Sequence, residues 1–169
     1  ETNTHVVHCP ESNLKLASGF CEVAKLQKAG INVCIGTDGA ASNNDLDMFG
    51  EMRTAAQLAK AVAKDAEALP AYEALAACTI NGAIAMQRDH LFGSLEVGKF
   101  ADITAVDMSD LESFPVFDPV SHLVYATTRN QVSNVWIGGK QVLANRVLTT
   151  LDKTAIIEKA KAWQAKIKA

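Results

Sequence analysis

Apolar and polar positions along the chain change period several times, and each change marks an element. "THVVHCP" is a short apolar run stopped by Pro10, which predicts a strand followed by a polar loop, "ESNLKLASG". In "FCEVAKLQKAG" the apolar positions fall at helical spacing and Gly30 stands where a C-terminal cap belongs. "INVCIG" is apolar at nearly every position, as a strand covered on both faces requires. "LDMFGEMRTAAQLAKAVAK" predicts a long helix, with Asn44, Asp45 and Asp47 competing to cap it. "PAYEALAACTINGAIAM" predicts one further helix with Pro70 as its first residue.

After residue 90 the texture is different. "ADITAVD" is a β-run. "DPVSHLVYAT" is a short helix capped by Asp118 with Pro119 first. "VSNVWIGGKQVLANR" is a hairpin turning at Gly138-Gly139. "LDKTAIIEKAKAWQAKIKA" closes the sequence as an amphipathic helix whose apolar stripe contains Ile156, Ile157, Ala160, Trp163 and Ile167. The strand-helix alternation of the first half implies parallel pairing with helices outside, whereas the later part is antiparallel.

Composition narrows the classes. The 169 residues are 49% apolar and 21% charged, the balance of a folded globular chain. A net charge of -3 gives no basic field for a phosphate backbone, so nucleic acid is not an expected partner. No apolar run reaches the roughly 18 residues of a membrane span, and no signal-peptide layout opens the sequence. Cys9, Cys21, Cys34 and Cys78 are irregularly spaced without CxxC, so reduced thiols in a cytoplasmic setting are expected and a structural zinc site is not. The first residue is Glu1 and not Met, consistent with a trimmed chain or with part of a longer one.

Candidate chemistry gathers at the ends of the two early strands. Asp38 follows "INVCIGT" directly. If the strand extends that far, Asn32, Cys34, Gly36 and Asp38 share one side. A carboxylate there can hold a divalent metal or take a proton from water. The same residue can equally form an Asx turn or cap, because "TDGAASNND" is rich in turn formers. His8 lies at the first strand's end, placed either to face a substrate or to be satisfied internally. His5, three residues earlier, reads as structural. Ser12 and Asn13 either line a pocket or cap the following segment. Neither a Walker motif nor GxSxG occurs.

"VVHCPESNLKLASG" together with "GTDGAASNNDLDMFGEMRTAA" resembles the amidohydrolase superfamily, in the branch of chlorohydrolases and 5-methylthioadenosine/S-adenosylhomocysteine deaminases. "GSLEVGKFADITAVD" and "VSNVWIGGKQVLANR" resemble that branch's C-terminal segment, and the likeness spans residues 4 to 165. The resemblance implies an α/β fold: the C-terminal fragment of a metal-dependent hydrolase (β/α)8 barrel, with strands 7 and 8 and their helices, plus part of a small β-sandwich. Residues 1–90 would be the barrel portion, 91–150 the sandwich portion and 151–169 a C-terminal helix. Asp38 matches the family's metal-binding aspartate, which also serves as catalytic base. His8, Ser12 and Asn13 match substrate-side positions.

By the same resemblance, zinc or another divalent metal would serve the intact enzyme. The reaction would be C–N hydrolysis of an aminopurine-like or triazine-like ring, so the partner would be a small heterocyclic substrate. The family's H-x-H pair, two further histidines and proton-shuttling glutamate have no counterpart here. The chain alone is therefore expected to be inactive, without a tightly held metal, and to self-associate or pair with the remaining N-terminal part. The alternative is a stable non-catalytic module.

Overall fold

The computed structural model describes residues 2–168, so Glu1 and Ala169, the outermost positions of the first and last expected segments, lie outside the described residues. The first sheet has two parallel strands, β1 (Val6–His8) and β2 (Val33–Ile35), in the register Val6↔Val33, Val7↔Cys34, His8↔Ile35. Around it stand α1 (Pro10–Lys15), α2 (Val23–Lys28), α3 (Met48–Ala63), α4 (Ala71–Ala77) and α5 (Ile80–Ala85). The second sheet is antiparallel, in the order β3 (Ile103–Val106), β4 (Val132–Ile137), β5 (Lys140–Ala144), β6 (Val147–Leu148). α6 (Pro119–Tyr125) precedes β4, and α7 (Lys153–Lys168) follows β6.

The fold is thus α/β, but the expected barrel is not formed. Among the described residues there are two small sheets, of two and four strands, and neither closes on itself. The reason is geometric. A closed barrel needs every strand to have a neighbour on both sides, and β1 and β2 each have one. The sandwich expectation is likewise reduced to one four-stranded sheet.

The core is built on α3. Glu51, Met52, Ala55, Ala56 and Ala59 recur at helical spacing and are all buried. Small alanines let α3 lie close against its neighbours, where Val23, Val33, Ile35, Leu69, Ala74, Ala77 and Val124 complete the cluster. Asp47 wins the capping competition: its Oδ1 accepts the Phe49 N–H at 3.0 Å. Lys60 Nζ donates to the carbonyls of Ala68 and Leu69 and so ties the end of α3 to the segment leading into α4.

Two helical expectations need correction. The segment after Pro10 is a helix and not a loop. Pro10 has the φ that a first helical turn requires and lacks an N–H that would go unpaired there, so it opens α1 while ending β1. The single helix expected from Pro70 onward is two, because Thr79 leaves helical dihedrals (φ -130°, ψ -96°) and turns its Oγ1 back to the Leu75 carbonyl. Pro70 is the residue before α4 and not its first. The late hairpin forms as expected, with Gly138 and Gly139 both at positive φ. α7 also forms, yet none of its described residues is buried, and Ile156, Ile157, Trp163 and Ile167 face outward. No helix among the described residues is long and apolar enough to cross a membrane.

Candidate functional site

β2 ends at Ile35, three residues before Asp38, so strand alternation does not orient Asp38. Asp38 instead takes the left-handed conformation at φ +61°, which aspartate tolerates better than most residues. This reverses the chain and points the carboxylate at its own loop and at α1. Oδ1 accepts the Gly39 N–H at 2.7 Å. Oδ2 accepts two hydroxyls, Ser12 Oγ at 2.8 Å and Ser42 Oγ at 2.7 Å. These donors, Ser42 foremost and then Ser12 and the Gly39 amide, hold the Asp38 carboxyl below the usual carboxylate range. Asp38 is exposed and ionised at neutral pH.

The four expected site residues separate. Ser12, buried on α1, meets Asp38 directly. His8 is buried at the end of β1, where its carbonyl accepts the Gly36 N–H. Its imidazole takes no part in the donor set on Asp38, and burial lowers its pKa, so it is neutral at pH 7. Asn13 uses its backbone, donating to the Cys9 carbonyl and accepting from the Ser18 N–H; its side chain is half-buried and does not touch Asp38. His5 shares a 3.0 Å contact through Nδ1 with the Asn32 amide, a structural role.

Other members of the site escape a sequence reading. Ser42 is one of several turn formers and carries no periodic signal. Lys15 Nζ donates to the Ala41 carbonyl and to Asn44 Oδ1, clamping the loop to α1. Glu11, Lys15, Ser42, Asn43, Asn44 and Asp45 line a hollow of about 350 Å³ beside it. Beneath lies Glu51, fully buried, with its carboxyl pushed up to about 7 by desolvation. A signal for Glu51 exists: it is the lone carboxylate in the apolar stripe of α3.

The donor set bears on metal binding. Asp38 has accepted three hydrogen bonds, leaving about one of its four lone-pair directions open. That fits a single ligand position. No group of three or more His, Cys, Asp or Glu side chains that could hold a metal occurs among the described residues. The Asp38 carboxylate could therefore offer one oxygen to a metal, fewer than the three protein ligands that a catalytic zinc takes.

The Amidohydrolase family profile matches residues 1–142, and the chain belongs to that family. It is 54% identical over 167 residues to a 5-methylthioadenosine/S-adenosylhomocysteine deaminase of Saccharophagus degradans, an alignment that covers 99% of this chain and 37% of the relative. An adenosine deaminase from Xanthomonas campestris, solved with bound zinc, superposes with a TM-score of 0.94 at 55% identity, over 97% of this chain and 37% of that one. An atrazine chlorohydrolase from Arthrobacter aurescens, also solved with zinc, gives a TM-score of 0.87 at 26% identity, over 94% and 35%. The chain thus spans little more than a third of the length of these relatives.

Proposed function

We propose that this chain supplies the Asp38 part of a metal-dependent amidohydrolase site that deaminates an aminopurine-like ring, a triazine-like ring being the second substrate class. The observation that carries the reading is the Asp38 carboxylate, held in a left-handed turn by Ser12, Ser42 and the Gly39 amide within a chain of this family. The high identity to deaminases favours the aminopurine over the triazine. His8 and Asn13 fall on the substrate side of this reading.

Zinc, when bound with ligands from the rest of a full-length enzyme, supplies the Lewis acidity that makes a water nucleophilic at neutral pH. Asp38 contributes a fixed negative charge to that ion. A carboxylate with three donors is a weak base, so proton acceptance requires one donor to leave. Ser42 is free to do this: its Oγ also lies 3.1 Å from the Gly39 carbonyl, an alternative acceptor within the same turn. Ser12 then keeps the carboxylate oriented while its second lone pair opens toward the incoming proton. Neutral His8 offers hydrogen bonding without a competing positive charge.

The chain alone is proposed to lack turnover, since one oxygen ligand leaves zinc weakly held. Exposed apolar side chains, among them Val7 on β1, Phe20 and the α7 stripe, favour self-association or pairing with the remaining part of such an enzyme. The test is ammonia release from 5-methylthioadenosine, S-adenosylhomocysteine, adenosine and an aminotriazine. It is run on the 169-residue chain and on the Saccharophagus degradans relative with its matching stretch replaced by this chain. Turnover in the chimera with preference for the purines is expected. A preference for the triazine overturns the substrate assignment.

A further inference from the structure

Two of the three donors on Asp38 have a neighbour in sequence that is tied to the same buried carboxyl. Ser12 follows Glu11, whose backbone N–H donates to Glu51 Oε2 at 3.2 Å. Ser42 precedes Asn43, whose side-chain amide donates to Glu51 Oε1. Asn43 itself is buried and is the hub of the loop. Its Oδ1 accepts the Leu46 N–H at 2.9 Å and the Asp45 N–H at 3.3 Å. Its own N–H donates to the Gly39 carbonyl at 2.9 Å. Glu51 is not among the hydrogen-bond partners of Asp38, yet each of its oxygens holds one of the two elements that grip Asp38.

From this arrangement we infer that Glu51 is a positioning residue, a buried brace that sets α1 and the 39–46 loop against each other and thereby fixes Ser12 and Ser42 on Asp38. Burying a carboxyl in the apolar stripe of α3 opposes folding unless its oxygens are satisfied, and here both are. A helix packed only for stability would carry an alanine or leucine at this position, as it does at Ala55 and Ala59. The brace is a feature of the fold, and its value for catalysis rests on the reading of Asp38 as the site carboxylate.

The groups around Glu51 make the brace sensitive to protonation. Desolvation, then the charges of Glu11 on α1 and Asp45 in the loop, raise its affinity for a proton, while the Glu11 N–H and the Asn43 amide lower it. The Cys9 and Cys78 thiols also face its charge and are themselves held neutral. As the ionised form, Glu51 accepts from both elements with charge-assisted hydrogen bonds; as the acid, it accepts more weakly. The grip on Asp38 is thus tighter above the transition near pH 7 than below it.

The test measures backbone amide exchange of Gly39, Ser42 and Asn43 in the full 169-residue chain, with Ala59 and Cys34 as references. Glu51→Leu is expected to speed exchange at the three loop amides at least tenfold while the references keep their protection. Glu51→Gln, which matches the shape and retains one acceptor, is expected to give a smaller increase. It should also abolish the extra protection that the wild-type loop gains through pH 7. Loop exchange within twofold of wild type in Glu51→Leu overturns the brace. If that variant does not fold, a wild-type pH profile in Glu51→Gln overturns it equally. Asp38→Asn, which leaves Glu51 intact, tests the reading of the site separately, because it removes turnover in the chimera without altering the brace.

Discussion

Replacing Asn43 with alanine removes the hub that joins Glu51 to the Asp38 loop. Two losses are independent of pH: the Leu46 and Asp45 N–H groups lose their side-chain acceptor, worth together about 1–2 kcal/mol. The third loss depends on Glu51. When Glu51 is ionised, the amide hydrogen bond it loses is charge-assisted, worth about 1.5–3 kcal/mol; when it is neutral, the same bond is worth about 0.5–1.5 kcal/mol. Glu51 is pushed up from 4.5 to about 7, so the folded chain holds a proton there that the unfolded chain releases. The stability that this proton supports is full below pH 4.5 and lost as pH rises to about 7.

Asn43→Ala removes a donor that favours the ionised form, so the loss continues to higher pH in the variant. Its deficit relative to wild type is expected to be about 2 kcal/mol at pH 5 and about 3–4 kcal/mol at pH 8. Urea unfolding of both chains at the two pH values measures this. A deficit equal at both, or below about 0.5 kcal/mol at pH 8, refutes the coupling of Asn43 to a buried, titrating Glu51.

Two further outcomes are expected elsewhere. Gly93 sits at φ +100°, and a Cβ there would lie 2.7 Å from the Ala83 Cβ and 3.0 Å from the Ile80 Cα, so Gly93→Ala should cost about 2–5 kcal/mol in urea unfolding, from backbone strain and overpacking of α5; a cost under 1 kcal/mol would contradict the packing of that loop. Burial pushes the Cys78 thiol up to about 12, which leaves a thiolate fraction of about one in ten thousand at pH 8, so iodoacetamide should label Cys78 more slowly than the comparably accessible Cys9 and Cys21, and equal rates would contradict this.

Elements with a clear period were legible in the sequence: α2, α3, α6, α7 and the β4–β5 hairpin lie where apolar spacing and cap residues put them. α1 was not, because "PESNLK" has only Leu14 as a large apolar residue and is tied to neighbours in space, among them the Glu11 N–H on Glu51, Thr54 on the Glu11 carboxylate and Ser12 on Asp38. The break at Thr79 was hidden inside a continuous alanine-rich pattern. The barrel came from resemblance, and local pattern could not test closure, which depends on how many strands are present to pair. At the site, Asp38 and Ser12 were named and do meet. The strand condition for Asp38 is not met, because β2 ends at Ile35, and the turn-former reading of "TDGAASNND" holds: a positive φ aims its carboxylate. Ser42 and Asn43 were unreadable among equivalent turn formers, whereas Glu51 was readable as a charge on an apolar helix face.

The central claim is that Asp38 is the carboxylate this chain brings to a hydrolytic deaminase site. The most direct measurement is ammonia release from 5-methylthioadenosine by the chimera in which this chain replaces the matching stretch of the Saccharophagus degradans relative, with and without Asp38→Asn. The account expects turnover in the parent chimera and at least a hundredfold loss in Asp38→Asn, with the fold retained by circular dichroism and zinc content read by metal analysis. Asp38→Asn turnover within tenfold of the parent would contradict it.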